Sequence, residues 1–373
     1  MVAGVWRRLG QAAALAAALA LGACGGGGKP AGASKELRIY NWSDYIDPGI
    51  LKDFTRETGI KVTYDTFDSV DVLETKVLSG ETGYDIVVPS NQYVPRFVAA
   101  GALQPLDNAR LPNARNLWPE IMAYMAPFDP GRKYAIPYMW GTVGIGYNPD
   151  AVAKRLPGVK VDSWAVVLDP ANLAKLKDCG VYFLADGQDM MSAVLRYMGK
   201  DPNSTNPADY QAATDLLLKV RPYVRKFTNS EDIEALANGD ICLAVGYSGD
   251  VLQAADRARE AGHGVKVAYV IPKEGSQVWF DSFTIPKDAP HPDAALTFIN
   301  YMLRPQVIAR ASNALHYANA NAAATPLVDA KVRDDPNVYV PAANLPRLFV
   351  VKPKDQALLR EVNRLYTRVQ TGQ

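Results

Sequence analysis

Leu37-Arg38-Ile39-Tyr40-Asn41-Trp42-Ser43-Asp44-Tyr45 reads as a short strand giving out into aromatics, a hydroxyl and a carboxylate. A helix signal follows at once. Asp47 suits an N-cap, Pro48 the first helical position, Ile50, Leu51 and Phe54 mark one face, and Gly59 ends it. A strand passing directly into a helix is an α/β unit, and ligands bind where such strands end. An acid beside aromatic faces suits an organic cation, through charge pairing and attraction to the ring quadrupole. The same residues suit a helix cap and core aromatics equally well. This stretch alone leaves both readings open.

Outward from it the alternation continues. Ile60 to Phe67 alternates as a strand, and a helix runs through Val70, Leu73 and Val77 to Gly80. Asp85 to Pro89 is an apolar run of the kind buried on both sheet faces, and it opens onto Ser90-Asn91-Gln92-Tyr93. Together these predict an α/β domain with parallel strands. Leu103 to Trp140 is irregular and proline-rich. Pro137 to Asn148 carries glycines at 141, 144 and 146. That order is G-x-x-G-x-G with no helix opening behind it, so it reads as an extended strand crossing between domains rather than a nucleotide loop.

A second α/β set follows. The strand Val181 to Leu184 ends at Asp186 to Met191, a helix lined by Ala213, Leu216, Leu217 and Val220 stops at Pro222, and Ile233 to Gly239 is a short helix. Ile241 to Tyr247 is a buried strand that exits at Tyr247-Ser248-Gly249-Asp250. Val265 to Pro272 is the candidate return crossing, and Gln277 to Pro286 alternates around Trp279-Phe280-Asp281. Amphipathic helices after Pro292 (Ala295, Phe298, Ile299, Met302) and over Leu358 to Val369 complete the pattern.

A chain of 373 residues has room for two domains. Its net charge of +1 gives no case for a nucleic-acid partner, so recognition by charge must be local. Arg7 and Arg8 precede the apolar run Gln11 to Leu21, too short to span a bilayer, so the start reads as a secretory signal. It ends in Leu21-Gly22-Ala23-Cys24, which resembles the bacterial lipobox. That resemblance implies a signal peptide over 1–23, a lipid on Cys24 and a tether over 24–35. The two remaining cysteines, Cys179 and Cys242, pair or stay as buried thiols; an oxidising compartment favours the disulfide.

His263, His291 and His316 stand far apart without metal-ligand spacing, and no nucleophile elbow or phosphate loop occurs. Hydrolysis on a carboxylate pair stays open, since almost any chain offers two acids. What recurs is a strand exiting into aromatic plus acid, at Trp42 to Tyr45, Tyr247 to Asp250 and Trp279 to Asp281, with Asp186 and Asp189 at a fourth strand end. Acids and aromatic faces from both halves of the chain suit one amine-bearing ligand. Its ammonium groups need charge-assisted hydrogen bonds to offset desolvation.

Tyr40-Asn41-Trp42-Ser43-Asp44-Tyr45-Ile46, Val88-Pro89-Ser90, Pro137-Tyr138-Met139-Trp140-Gly141, Asn238-Gly239-Asp240-Ile241-Cys242 and Tyr317-Ala318-Asn319-Ala320-Asn321 resemble the periplasmic polyamine-binding proteins of ABC transporters, the putrescine-binding branch most of all. The resemblance runs from about Leu37 to the C-terminus. It implies a type II periplasmic-binding fold, two α/β lobes joined by crossing strands around a cleft. The lobes are expected over 36–140 with 273–320, and 141–272 with 321–373. Carried over by position, Trp42, Ser43, Asp44, Tyr45 and Ser90 line one wall. Asp189, Asp250 and Asp281 hold amines, Tyr247 and Trp279 are aromatic walls, and Tyr317 closes the site. Three departures bear on ligand length: Asp189 replaces a longer glutamate, Tyr247 a tryptophan and Trp279 a phenylalanine. The resemblance further implies a monomeric, cofactor-free, non-enzymatic periplasmic protein, with the polyamine and an inner-membrane permease as partners. A binder of another cationic metabolite and a polyamine-sensing receptor are the alternatives.

Overall fold

In the computed structural model, residues 35–341 and 343–373 are described. The signal segment, Cys24 and nearly all of the tether lie outside them. The first strands are β1 (Glu36–Trp42), β2 (Lys61–Phe67) and β3 (Ile86–Val87), followed by the long β4 (Ala135–Tyr147). Then come β5 (Val181–Leu184), β6 (Lys226–Thr228), β7 (Leu243–Tyr247) and β8 (Ala268–Val270). Last are β9 (Ser276–Thr284), β10 (Ala318–Asn319) and β11 (Leu348–Phe349).

The strands order as β2-β1-β3-β9-β4-β7-β5-β6. Both ends are parallel, β2-β1-β3 on one side and β7-β5-β6 on the other. Between them β4 and β9 run antiparallel to each other and to their outer neighbours. Ala135 to Thr142 of β4 pairs with β9, and Val143 to Tyr147 with β7. One 13-residue strand therefore belongs to both halves of the molecule, as its extended, glycine-rich sequence predicts. A bulge between Pro137 and Met139 falls where proline has no N–H to give the ladder.

The return crossing differs from expectation. Only Ala268–Val270 pairs, and only with Ile145 to Tyr147, so this strand stays with the second half. Pro272 lacks an N–H, and Gly275, at φ 102°, turns the chain before β9 makes the return along β4. Asp85 to Pro89 shrinks to the two paired residues of β3, although Val88 is also fully buried. Sequence reasoning also missed the helix Pro305–Leu315, whose apolar positions continue directly from those of Pro292–Met302.

The first helix forms as predicted. Asp47 accepts from the Gly49 N–H at 2.7 Å, and Gly59 closes the helix at φ 73°. It buries Phe54 edge-on against Phe298, ring centroids 5.1 Å apart. Each such ring contributes roughly 1.5–3 kcal/mol by burial. On the other half, the helix Gln356–Thr371 packs over Gly187–Tyr197 and Pro207–Val220. Ala322–Leu327 lies against Pro305–Leu315. Cys179 and Cys242 form a disulfide that links the start of β5 to the start of β7. It settles the choice the sequence left open.

Candidate ligand-binding cleft

A cleft opens where the two parallel ends of the sheet face each other across β4 and β9. Trp42, Ser43 and Tyr45 reach it from the end of β1, Phe67 and Asp68 from β2, and Ser90, Gln92 and Tyr93 from the chain after β3. From the second half come Asp186 and Asp189, Asn229 and Ser230, and Tyr247 and Asp250; β9 adds Trp279 and Asp281, and Tyr317 precedes β10. Five of these residues are aspartates, and none of the described lining residues is basic.

The acids take their hydrogen bonds from hydroxyls and amides. Ser90 donates to Asp281, which is 5% exposed. Burial pushes the Asp281 carboxyl up to about 7, against the hydrogen bonds of Ser90 and Tyr45 that favour its charge. Tyr317 donates to Asp250 at 2.7 Å, and Tyr247 to Asp189 at 3.1 Å. Asp186 caps the helix Gly187–Tyr197, accepting from the Gln188 and Asp189 N–H groups, and takes the Tyr93 hydroxyl at 3.2 Å. Desolvation drives Asp189 and Asp250 well above the carboxylate range, with the charges of Asp186 and Asp232 as the next causes. Asp232 is buried against β7 at Gly246, and its charge acts on Asp250. Every one of these shifts is what buried acids show before a counter-charge arrives.

Aromatic rings close the space between the acids. Trp279 meets Tyr317 at 5.1 Å and Tyr247 at 5.7 Å, both edge to face, and Tyr45 meets Tyr317 at 5.4 Å. Two glycines permit the approach. A Cβ on Gly141 would stand 2.8 Å from Trp279 and 2.9 Å from Tyr317, and one on Gly249 would stand 2.5 Å from Tyr317. The Trp42 and Trp279 indole nitrogens and Gln92 Oε1 are buried with no well-formed hydrogen bond among the described residues. In lining residues, such atoms leave polar capacity for a ligand.

Of the eleven residues carried over from sequence, ten line the cleft: Trp42, Ser43, Tyr45, Ser90, Asp189, Tyr247, Asp250, Trp279, Asp281 and Tyr317. Asp44 does not. It takes a left-handed turn at φ 52°, and its carboxylate bonds Arg257 at 2.9 Å, with Glu234 on the same guanidinium. Trp279 and Asp281 are not at a strand exit as expected; they lie inside β9, two residues apart, so the pleat turns both to one face. The β9 ladder places Trp279 opposite Gly141 and Asp281 opposite Met139. Gln92 and Tyr93 were visible as a polar and aromatic exit, and Asp186 as a strand-end acid, without being assigned to the site. Phe67, Asp68, Asn229 and Ser230 gave no signal, because only the fold brings β2 and β6 alongside.

Residues 49–340 match the family described as bacterial extracellular solute-binding protein. The chain is 52% identical to the putrescine-binding periplasmic protein PotF of Escherichia coli (strain K12), over 92% of this chain and 94% of that one. It is 46% identical to the putrescine-binding periplasmic protein SpuD of Pseudomonas aeruginosa (strain UCBPP-PA14), over 91% and 93%. Among solved structures it is similar to the spermidine/putrescine ABC transporter substrate-binding protein PotD of Streptococcus pneumoniae. There the TM-score is 0.73 at 30% identity, covering 91% of this chain and 99% of that one.

Proposed function

The chain belongs to the bacterial extracellular solute-binding proteins, with their type II periplasmic-binding fold, and on that premise we propose that it captures a polyamine in the cleft and delivers it to an inner-membrane ABC permease. The observation that carries this reading is the pairing of buried acids across the cleft. Asp281 is held by Ser90 on one side, and Asp189 and Asp250 are held by tyrosine hydroxyls on the other. An ammonium at each end of an aliphatic chain meets both sets, and the rings of Tyr45, Tyr247, Trp279 and Tyr317 cover the methylenes between, at roughly 0.8 kcal/mol per buried CH₂.

The lobes we assign are 36–140 with 273–320, and 141–272 with the C-terminal helix Gln356–Thr371. Because acids from both lobes hold the ligand, binding favours the closed arrangement, and closure is what a permease reads. The protein works at the periplasmic face, tethered by a lipid on Cys24, as a monomer and without catalysis. Calorimetric titration with putrescine, cadaverine, spermidine and spermine tests the reading. Saturable heat with at least one of them supports it. Silence with all four, beside heat with another cationic metabolite, replaces the ligand class.

A further inference from the structure

Lys354 has no place in the cleft lining, yet its ammonium joins a hydrogen-bond chain that leads to the cleft's acids. Its ammonium bonds Gln188 Oε1 at 3.4 Å. The Gln188 side-chain amide donates to the Tyr93 hydroxyl at 2.8 Å, and that hydroxyl donates to Asp186. The Gln188 and Asp189 N–H groups bind the other oxygen of Asp186. Lys354, Gln188, Tyr93, Asp186 and Asp189 thus form one connected network, with the cation at its rear and two carboxyls at its front.

The segment carrying Lys354 is pinned on both sides. Asn203 binds the Val350 carbonyl at 2.9 Å and the Lys352 N–H at 2.7 Å, and Asp355 caps the next helix by accepting from Leu358 at 2.8 Å. The lysine chain then passes the Tyr210 ring, with the ammonium 6.0 Å from its centroid. Burial lowers the ammonium to about 8, against the attraction of Asp186 and Asp189. A buried charge persists where opposite charges answer it.

We propose that Lys354 is a specificity determinant: a fixed ammonium behind Asp186 and Asp189 that disfavours additional ligand charge at that end and shifts preference toward shorter, less charged polyamines. The inference rests on the polyamine reading of the cleft. Once a ligand ammonium draws both carboxyls into their ionised form, the internal cation balances one of them and that ammonium the other. A second ammonium there would put surplus positive charge into a poorly screened interior. Take away the lysine charge, and the same two carboxyls have room for it.

The experiment measures putrescine and spermidine affinities for the wild-type protein and for Lys354→Met, Lys354→Gln and Lys354→Arg. The two neutral variants differ in polarity, so a folding defect in one leaves the other to decide. The expected result is a spermidine-to-putrescine affinity ratio raised about tenfold in the neutral variants and unchanged in Lys354→Arg, tenfold being the scale of a single charge interaction of modest strength. A merely structural role would move both affinities by one factor and leave the ratio alone; that outcome overturns the proposal. So does an arginine variant that shifts as far as the neutral ones. Wild-type protein that binds neither amine fails the polyamine reading itself, and this inference falls with it.

Discussion

Asp281 carries the clearest consequence of burial for a single residue. Its carboxyl rises from 3.8 to about 7 because it leaves water, and a ligand ammonium restores the reason to ionise. Polyamine affinity should therefore weaken as pH falls below about 7, by up to roughly tenfold per unit while one proton must be displaced. For the ligand-free protein the sign reverses. The native state holds a proton that the unfolded chain releases, so the stabilising contribution is full below pH 3.8 and is lost as pH rises through about 7. Against Asp281→Asn, the wild type should lose stability between pH 5 and pH 8, on the order of a few kcal/mol for a shift of this size. Denaturant midpoints at both pH values check it; equal losses in the two proteins would contradict it. Asp250→Asn should weaken polyamine binding at least tenfold, on the order of the 1.5–3 kcal/mol of a hydrogen bond to a charged group. Unchanged calorimetric affinity would remove Asp250 from the site.

At the scale of elements, the cleft depends on what β4 holds in place, while the disulfide bears on stability. Gly141→Ala would push a methyl into Trp279 and Tyr317, both side chains that close the cleft. The fold should survive while affinity drops by an order of magnitude or more, since overpacking of this kind costs roughly 1–3 kcal/mol. Wild-type affinity in that variant would show that the rings have room to give. The Cys179–Cys242 bond closes a loop of 63 residues and contributes roughly 4 kcal/mol in the chain-entropy model. Cys179→Ala with Cys242→Ala should lower the unfolding free energy by that order. Ligand binding should persist, because the bond lies at the strand starts, away from the exits that line the cleft.

The same elements mark how far the sequence could be read. Strands that stop at an aromatic and an acid were legible, because β1 and β7 each end where a helix or turn begins. Trp279 and Asp281 line the cleft by a geometry other than the expected one: they alternate within β9 instead of capping an exit. Asp44 stands off the cleft lining because a carboxylate in a left-handed turn can point away, and Arg257 pairs with it there. No local pattern announces a guanidinium supplied from 213 residues away. Phe67, Asp68, Asn229 and Ser230 were silent for the same reason, being brought to the site by sheet order alone.

For the whole molecule, the decisive feature is that acids from both halves line one cleft: Asp281 within β9, and Asp189 and Asp250 from elements beyond β4. Neither side alone offers both ends of a diamine a partner. The internal chain of Lys354, Gln188, Tyr93 and Asp186 makes one end of the cleft less negative than its carboxyls suggest, which is where ligand length is set. Closure follows from shared contacts, so radius of gyration by solution scattering should fall on adding a polyamine and stay constant with a neutral diol of equal length. The most direct measurement is a crystal structure grown with putrescine or spermidine. The account predicts ligand ammonium groups within hydrogen-bonding distance of Asp281 on one side and of Asp189 or Asp250 on the other. A polyamine bound outside the cleft, or touching the carboxylates of one side only, would contradict it.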